Sequence, residues 1–127
     1  MKKQDFRVGN LIYDFCDGEG EILAIDKDGY VLTTANDVPQ PAETFTGITL
    51  TEEWLIKFGF ESDSNHFKIM VWDRGALWIT FPSDDLICFE IGNTKEHIVA
   101  IRGRMSFVHQ LQNLYFALTG TELTIKP

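Results

Sequence analysis

The stretch of sequence that decides the fold is residues 106–120, SFVHQLQNLYFALTG. Ser106 is suited to cap the first turn of a helix, and Gly120 can adopt the left-handed conformation just beyond the last turn. The apolar residues between them recur with the 3.6-residue period of a helix and not with the two-residue period of a strand. These residues are Phe107, Leu111, Leu114, Tyr115 and Leu118. The pattern predicts a helix over residues 106–119 whose apolar stripe packs on a sheet.

The opposite face of this helix is uncharged, because no Lys, Arg, Asp or Glu occurs between Arg104 and Glu122. A surface helix normally carries charged side chains on that face. Two interpretations follow. Either the helix is covered on both sides within the chain, or its amide-rich face, with His109, Gln112 and Asn113, meets a protein partner, since charge is depleted at interface cores.

A second helix is predicted over residues 50–60, LTEEWLIKFGF, with Thr51 as a candidate N-cap and Gly59 as its end. Before it, Asp-Gly pairs separate short runs rich in β-branched and aromatic residues, which is typical of hairpins. The runs are residues 9–14, 21–26 and 30–34. They predict an antiparallel β-meander of the SH3-like half-barrel type. A proline-containing loop is expected over residues 35–47.

The second half of the chain predicts a four-stranded antiparallel sheet. Its strands are expected at residues 67–72, 77–81, 86–91 and 97–102. The predicted fold is therefore α+β: an N-terminal meander, a short helix, this sheet and the C-terminal helix packed on it. A chain of 127 residues has the length of a single domain. We divide that domain into subregions 1–50 and 51–127.

The net charge of −8 lies entirely in the N-terminal half. Residues 1–65 hold five Lys/Arg and thirteen Asp/Glu, whereas residues 66–127 hold six of each. Because phosphate backbones repel such a surface, nucleic acid is not an expected partner. The same acidity permits an alternative function, in which the chain mimics nucleic acid and inhibits a host protein.

Cysteine usage and hydropathy indicate the cellular setting. Cys16 and Cys88 form no CxxC pair, which argues against a disulfide framework or a structural zinc site. No apolar run is long enough to span a membrane. We expect a cytoplasmic protein that does not bind membranes.

Motifs for catalysis are missing from the sequence. It contains no GxSxG or SxxK motif, and His66, His97 and His109 show no metal-ligand spacing. The acidic residues of the first hairpins lack the ligand order of a calcium-binding loop. We expect no catalytic residue, metal or cofactor, and a hydrolase or metal enzyme is the least favoured alternative.

Trp72 and Trp78 flank the predicted turn at residues 73–75. Their hairpin has large apolar side chains on both faces, so these either pack within the chain or form an aromatic recognition patch. Trp72, Trp78, His109, Gln112 and Asn113 together make the predicted interaction surface. The leading hypothesis is a small non-enzymatic protein-interaction module, with a homodimer as one form that it could take.

Three stretches, FVHQLQNLYFALTGTEL, LTEEWLIKFGF and FRVGNLIYD, resemble an uncharacterised family of small proteins. Bacteroidetes bacteria and their phages and mobile elements encode this family. The resemblance covers both ends of the chain and the middle helix, while residues 61–104 match only as variable strands. It implies a phage or mobile-element context in a bacterial cytoplasm. Because the family has no established activity, cofactor or site, the resemblance implies no catalytic residue.

Overall fold

The computed structural model describes residues 6–14, 18–63, 66–83, 86–94 and 98–126. Over these residues the protein has two α-helices and two five-stranded antiparallel sheets, which confirms the α+β class. The chain divides into two compact units. The first unit contains residues 1–49 and 107–113, and the second contains residues 50–106 and 114–127.

The sheet of the first unit has the strand order β4-β3-β2-β1-β5. Its strands are β1 (Leu11–Asp14), β2 (Gly18–Ile25), β3 (Tyr30–Thr33), β4 (Asn36–Pro41) and β5 (Phe45–Gly47). The three predicted N-terminal strands are therefore present. The expected loop at 35–47 is wrong in part, because it contains β4, a short 3-10 turn and β5. Strand β4 lies at the sheet edge, where Pro39 and Pro41 need not donate a ladder hydrogen bond.

A small apolar core holds this first sheet together. Ile12, Ile22, Val31 and Phe45 are buried and pack as one cluster, with Phe6 against it. Side chains alternate between the two faces along each strand, and these four apolar residues, one from each of four strands, share the inner face. The core depends on the Asp-Gly hairpin between β2 and β3, where Gly29 has a φ of +86°.

Helix α1 (Glu52–Lys57) begins the second unit. Its predicted N-cap is confirmed, since the Thr51 side chain accepts a hydrogen bond from the amide of Trp54 at 3.4 Å. Gly59 has a φ of +88° and ends the helix as predicted. The amide of Phe60 then donates to the carbonyl of Leu55 at 3.0 Å, which completes a Schellman motif.

The sheet of the second unit has the strand order β10-β9-β8-β7-β6. Its strands are β6 (Glu61–Asp63), β7 (His66–Met70), β8 (Gly75–Ser83), β9 (Leu86–Asn93) and β10 (Ile98–Arg104). The prediction of four strands is corrected to five. Strand β6 was missed because its sequence, ESD, is short and polar, and it forms only through pairing with β7.

Helix α2 (Val108–Thr119) starts two residues later than predicted, so Ser106 lies before its cap position. The amide of Phe107 instead donates to Oε1 of Gln110 at 3.0 Å. At the other end Gly120 has the expected positive φ, +73°. Among the described residues, neither helix is long and apolar enough to cross a membrane.

The fully buried residues of α2 lie in its first half. Its buried residues are Val108, His109, Leu111 and Gln112. All four belong to the first unit, whereas Leu114, Tyr115 and Leu118 of the predicted stripe belong to the second unit, which contains the other sheet. The buried face therefore contains two polar side chains, and their hydrogen bonds and ring contacts, given below, explain why.

Candidate functional site

One face of the second sheet carries most of its polar side chains. Residues that pair directly across antiparallel strands share a face. The pairing register gives two rows, which we call the polar face: Lys68, Trp78, Glu90 and Arg102 in one row, and His66, Thr80, Cys88 and Arg104 in the other. The opposite face contains Leu77, Ile79 and Ile91, all buried. The sheet thus has one face that belongs to the apolar core and one face that carries polar and charged side chains.

A β-bulge interrupts the polar face. Between the pairs Thr80–Cys88 and Ser83–Leu86, strand β8 has two residues and strand β9 has one. Pro82 is one of the two residues on β8. Proline has no N–H to give to a central ladder, so a bulge is where such a strand can hold it. The bulge bends β8 beside the two polar rows.

Two cavities meet at this bulge. Their volumes are about 600 Å³ and about 460 Å³, and both are lined by Thr80, Pro82 and Glu90. The larger extends to His66, and the smaller extends to Cys88, Arg102 and Arg104. We call the combined concavity the bulge groove.

The charges around the bulge groove are of both signs and are weakly paired. Nε of Arg102 lies 3.5 Å from a carboxylate oxygen of Glu90, and the Arg102 side chain is 75% exposed. An ion pair as exposed as this one contributes about 0–1 kcal/mol. Arg104 is exposed and has no ion pair among the residues that the structure describes. The groove can therefore exchange its internal ion pair for one with a ligand.

The two tryptophans have different environments. Trp78 is half-buried on the polar face, opposite Lys68 and Glu90. Trp72 lies in the turn before β8, and its Nε1–H donates to the carbonyl of Leu118 at 3.1 Å. That carbonyl is in the last turn of α2, where helical carbonyls lack partners of their own. Trp72 thus donates a hydrogen bond to the end of helix α2, while Trp78 lies on the polar face next to Glu90, which lines both cavities.

Gln112 bridges helix α2 to the N-terminal segment of the first unit. Its Oε1 accepts from the amide of Leu11 at 2.8 Å, and its Nε2 donates to the carbonyl of Gly9 at 3.2 Å. The side chain is 2% exposed and uses both ends of its amide. This explains why a glutamine occupies the buried face of the helix.

Asn113 and His109 complete the same contact. Oδ1 of Asn113 accepts from Nε of Arg7 at 3.0 Å and from Nδ2 of Asn10 at 2.8 Å. We call the four bonds of Gln112 and Asn113 the polar clamp. The His109 ring is 2% exposed and packs edge-on against Phe6, with a centroid distance of 4.9 Å.

The structure thus decides between the two interpretations of the uncharged helix face. Residues 6–11 cover it within the first unit, so His109 and Gln112 lie inside the unit and not at its surface. Of the five residues of the predicted interaction surface, Trp78 alone lines the polar face in the described register.

Among the described residues, side chains with metal-binding chemistry form no cluster. In the described part of the chain no group of three or more His, Cys, Asp or Glu side chains could hold a metal ion. Thr80 lies between His66 and Cys88 in their row, so the imidazole and the thiol are on strands that are not neighbours. His97 and Cys16 lie outside the described residues.

Sequence reasoning did not single out the residues that line the bulge groove, although two signals for them existed. The first is polar residues at alternate positions of consecutive strands, as in Cys88 with Glu90 and Arg102 with Arg104. The second is Pro82 inside a run that otherwise reads as a strand, which is a bulge signal. No family model, curated protein or solved structure matches the chain.

Proposed function

We propose that this chain is a small, cytoplasmic, non-enzymatic protein-interaction module, and that the bulge groove is its contact surface. The observation that carries the proposal is the meeting of two cavities at Pro82, beside the polar face of the second sheet. A groove of that size beside two exposed arginines and a half-buried tryptophan offers what protein partners use most, since Trp and Arg dominate binding hot spots.

The energetics of the groove also favour recognition. The Arg102 side chain is 75% exposed, so it can turn from Glu90 to a partner carboxylate at little cost. Trp78 supplies a large apolar surface whose polar neighbours form a rim, which is the usual anatomy of a protein interface. Such a surface binds through many modest contacts and needs no convergent catalytic group.

For the first unit we infer an SH3-like barrel with a supporting role. In support of this inference, a meander of four strands is followed by a 3-10 turn, Ala42–Thr44, and a fifth strand that returns to pair with β1. The polar clamp ties residues 112 and 113 of α2 to this unit. The resemblance to proteins of Bacteroidetes phages and mobile elements supplies the proposed biological context.

A second candidate function, an acidic mimic that inhibits a nucleic-acid-binding host protein, is favoured by exposed carboxylates in the first unit. Glu19 and Glu21 alternate along β2 and are both exposed. Neutralising both, Glu19→Gln with Glu21→Gln, should then abolish inhibition of the host protein. The matched control is Glu52→Gln with Glu53→Gln on helix α1, which removes the same charge elsewhere.

The experiment for the leading proposal places a large side chain where the two cavities meet. Thr80→Arg fills the groove, and Thr124→Arg makes the same substitution at an exposed position outside it. Each purified variant, checked for folding by circular dichroism, is used to capture proteins from a Bacteroidetes lysate. We expect a partner retained by wild type and Thr124→Arg and lost with Thr80→Arg. Equal retention by all three, or no specific retention by wild type, would contradict the assignment.

A further inference from the structure

Among the described outer strands, β10 is the longest and contains no proline. Sheets end in outer strands whose free N–H and C=O groups can pair with another chain, and proteins usually protect such edges. Among the described strands the outer ones are β4, β5, β6 and β10. Strand β4 contains two prolines, and β5 and β6 have three residues each. Strand β10 has seven residues and no proline, and a register shift between Val99 and Ile101 leaves residues 101–104 as its regularly paired part.

The C-terminal part of β10 is also open to solvent. Ile101 is 52% exposed, and Arg102 and Arg104 are exposed beside it. All of the strand's described ladder pairs are with β9. In an antiparallel ladder alternate residues direct their backbone groups away from the neighbouring strand. Half of the backbone groups of β10 therefore face outward, along an exposed stretch.

The side chains of this edge define what could pair with it. Arg102 and Arg104 lie on the polar face and line the smaller cavity of the bulge groove. Ile101 directly precedes Arg102 in the strand, and its side chain therefore points to the opposite face of the sheet. An added strand would present alternate residues to the same two faces. Carboxylates would meet the arginines, and the residues between them would meet Ile101.

We propose, as an extension of the proposed interaction function, that β10 binds an extended segment of a partner protein by strand addition, and that this segment alternates acidic and apolar residues. Backbone hydrogen bonds fix the segment to the edge, as in other strand-addition complexes. The two arginines select acidic residues at every second position, and the bulge groove receives the side chains on the arginine side.

Charge argues against a second copy of the chain as the occupant. Antiparallel pairing of two β10 strands about Gly103 would place Arg102 directly opposite Arg104, and like charges in that position are destabilising. Two chains of net charge −8 also repel each other. A single-stranded nucleic acid could contact the arginines, but it could not complete a β-ladder.

The test uses a fluorescent peptide, GEVEVEVEG, and measures binding by fluorescence anisotropy. We expect saturable binding to the full-length protein that weakens as salt is raised. A peptide of the same composition in the order GEEEEVVVG is the sequence control, and GKVKVKVKG is the charge control. Neither should bind comparably, because the first loses the alternation and the second reverses the charge.

Protein variants locate the site. Arg104→Glu should weaken binding about tenfold, since it replaces an attraction by a repulsion. Arg74→Glu is the matched control, because it makes the same charge change at an exposed turn position at the opposite end of the sheet from Arg104. Equal affinities for the two variants would overturn the proposal.

Backbone methylation distinguishes strand addition from binding by side chains alone. One peptide carries N-methyl groups on all glutamates, and the other carries them on all valines. In an extended strand these two sets of amides point to opposite sides. Strand addition predicts that one methylated peptide loses binding and the other keeps it. Equal affinities of the two peptides would overturn strand addition.

The same titrations separate this inference from the broader proposal. If Thr80→Arg abolishes binding while the methylated peptides behave alike, the bulge groove remains the contact surface and strand addition fails. If neither Thr80→Arg nor Arg104→Glu changes peptide binding, both proposals fail. Two other results would overturn the inference. Tighter binding of oligothymidylate than of the peptide would indicate a nucleic-acid site, and dimerisation through β10 in sedimentation experiments would indicate a second copy of the chain.

Discussion

Replacing Gln112 by methionine tests the polar clamp most directly. Gln112→Met keeps the length of the side chain but removes both its donor and its acceptor. The amide of Leu11 and the carbonyl of Gly9 then lose their partner in a partly buried position. Leaving a buried polar group unpaired costs about 1–3 kcal/mol, and both groups keep some solvent access, so we expect a total loss of about 2 kcal/mol.

The measurement is urea unfolding followed by circular dichroism. With a slope of about 1–3 kcal/mol per molar urea, this loss lowers the midpoint by about 1 M. Because small domains have unfolding free energies of about 5–15 kcal/mol, the variant should remain folded in water. Hydrogen exchange should accelerate at the amides of β1 and β2, which the clamp supports, and should change little in β8 and β9.

The control makes the same substitution two positions earlier in the helix. Gln110 accepts a local hydrogen bond from the Phe107 amide at the start of α2. Removing that hydrogen bond is comparable to removing a helix cap. We expect Gln110→Met to cost about 1 kcal/mol or less. If Gln112→Met is no more destabilising than Gln110→Met, the clamp does not stabilise the first unit and this reasoning is wrong.

Three further predictions concern stability and use the same urea assay. Gly47→Ala should cost about 1–3 kcal/mol, because a Cβ there would lie 2.5 Å from Cγ of Phe107; a wild-type midpoint would show that the ring can move away freely. Thr51→Ala should cost about 1 kcal/mol through loss of the α1 cap, whereas Thr51→Ser should restore most of it. Trp72→Phe should cost about 0.5–1.5 kcal/mol by removing the bond to the Leu118 carbonyl, and an unchanged midpoint would mean that water replaces the indole.

The elements that could be predicted from sequence are those whose signals are local. Helix α1 carries its start in Thr51 and its end in Gly59, so a few neighbouring residues determine it. The Asp28-Gly29 turn likewise specifies the hairpin between β2 and β3 by its own chemistry, with the Asp26 carboxylate accepting from the amide of Asp28 at 2.9 Å. Elements that depend on interactions between neighbouring residues can therefore be predicted from a single sequence.

The elements that could not be predicted depend on distant partners. Strand β6 has no strand-like sequence and exists because β7 pairs with it. The burial of Gln112 depends on Leu11, which lies 101 positions away in the chain. An amide on a helix surface looks the same in sequence whether it faces solvent, a partner protein or another part of its own chain. Periodicity therefore predicted the helix, but it could not decide whether the chain itself or a partner protein covers the amide-rich face.

Unusual polar residues differ in whether contacts inside their own unit explain them. Gln112 and Asn113 are unusual for their element, but each finds hydrogen-bond partners inside the first unit, and their placement is explained by folding. Arg104 is exposed on an open sheet edge, and among the described residues no ion pair accounts for it. Pro82 needs a bulge that opens a groove beside it. Folding accounts for the polar residues of helix α2, whereas the arginine and the groove at β10 have no such internal explanation, and for that reason we place recognition there.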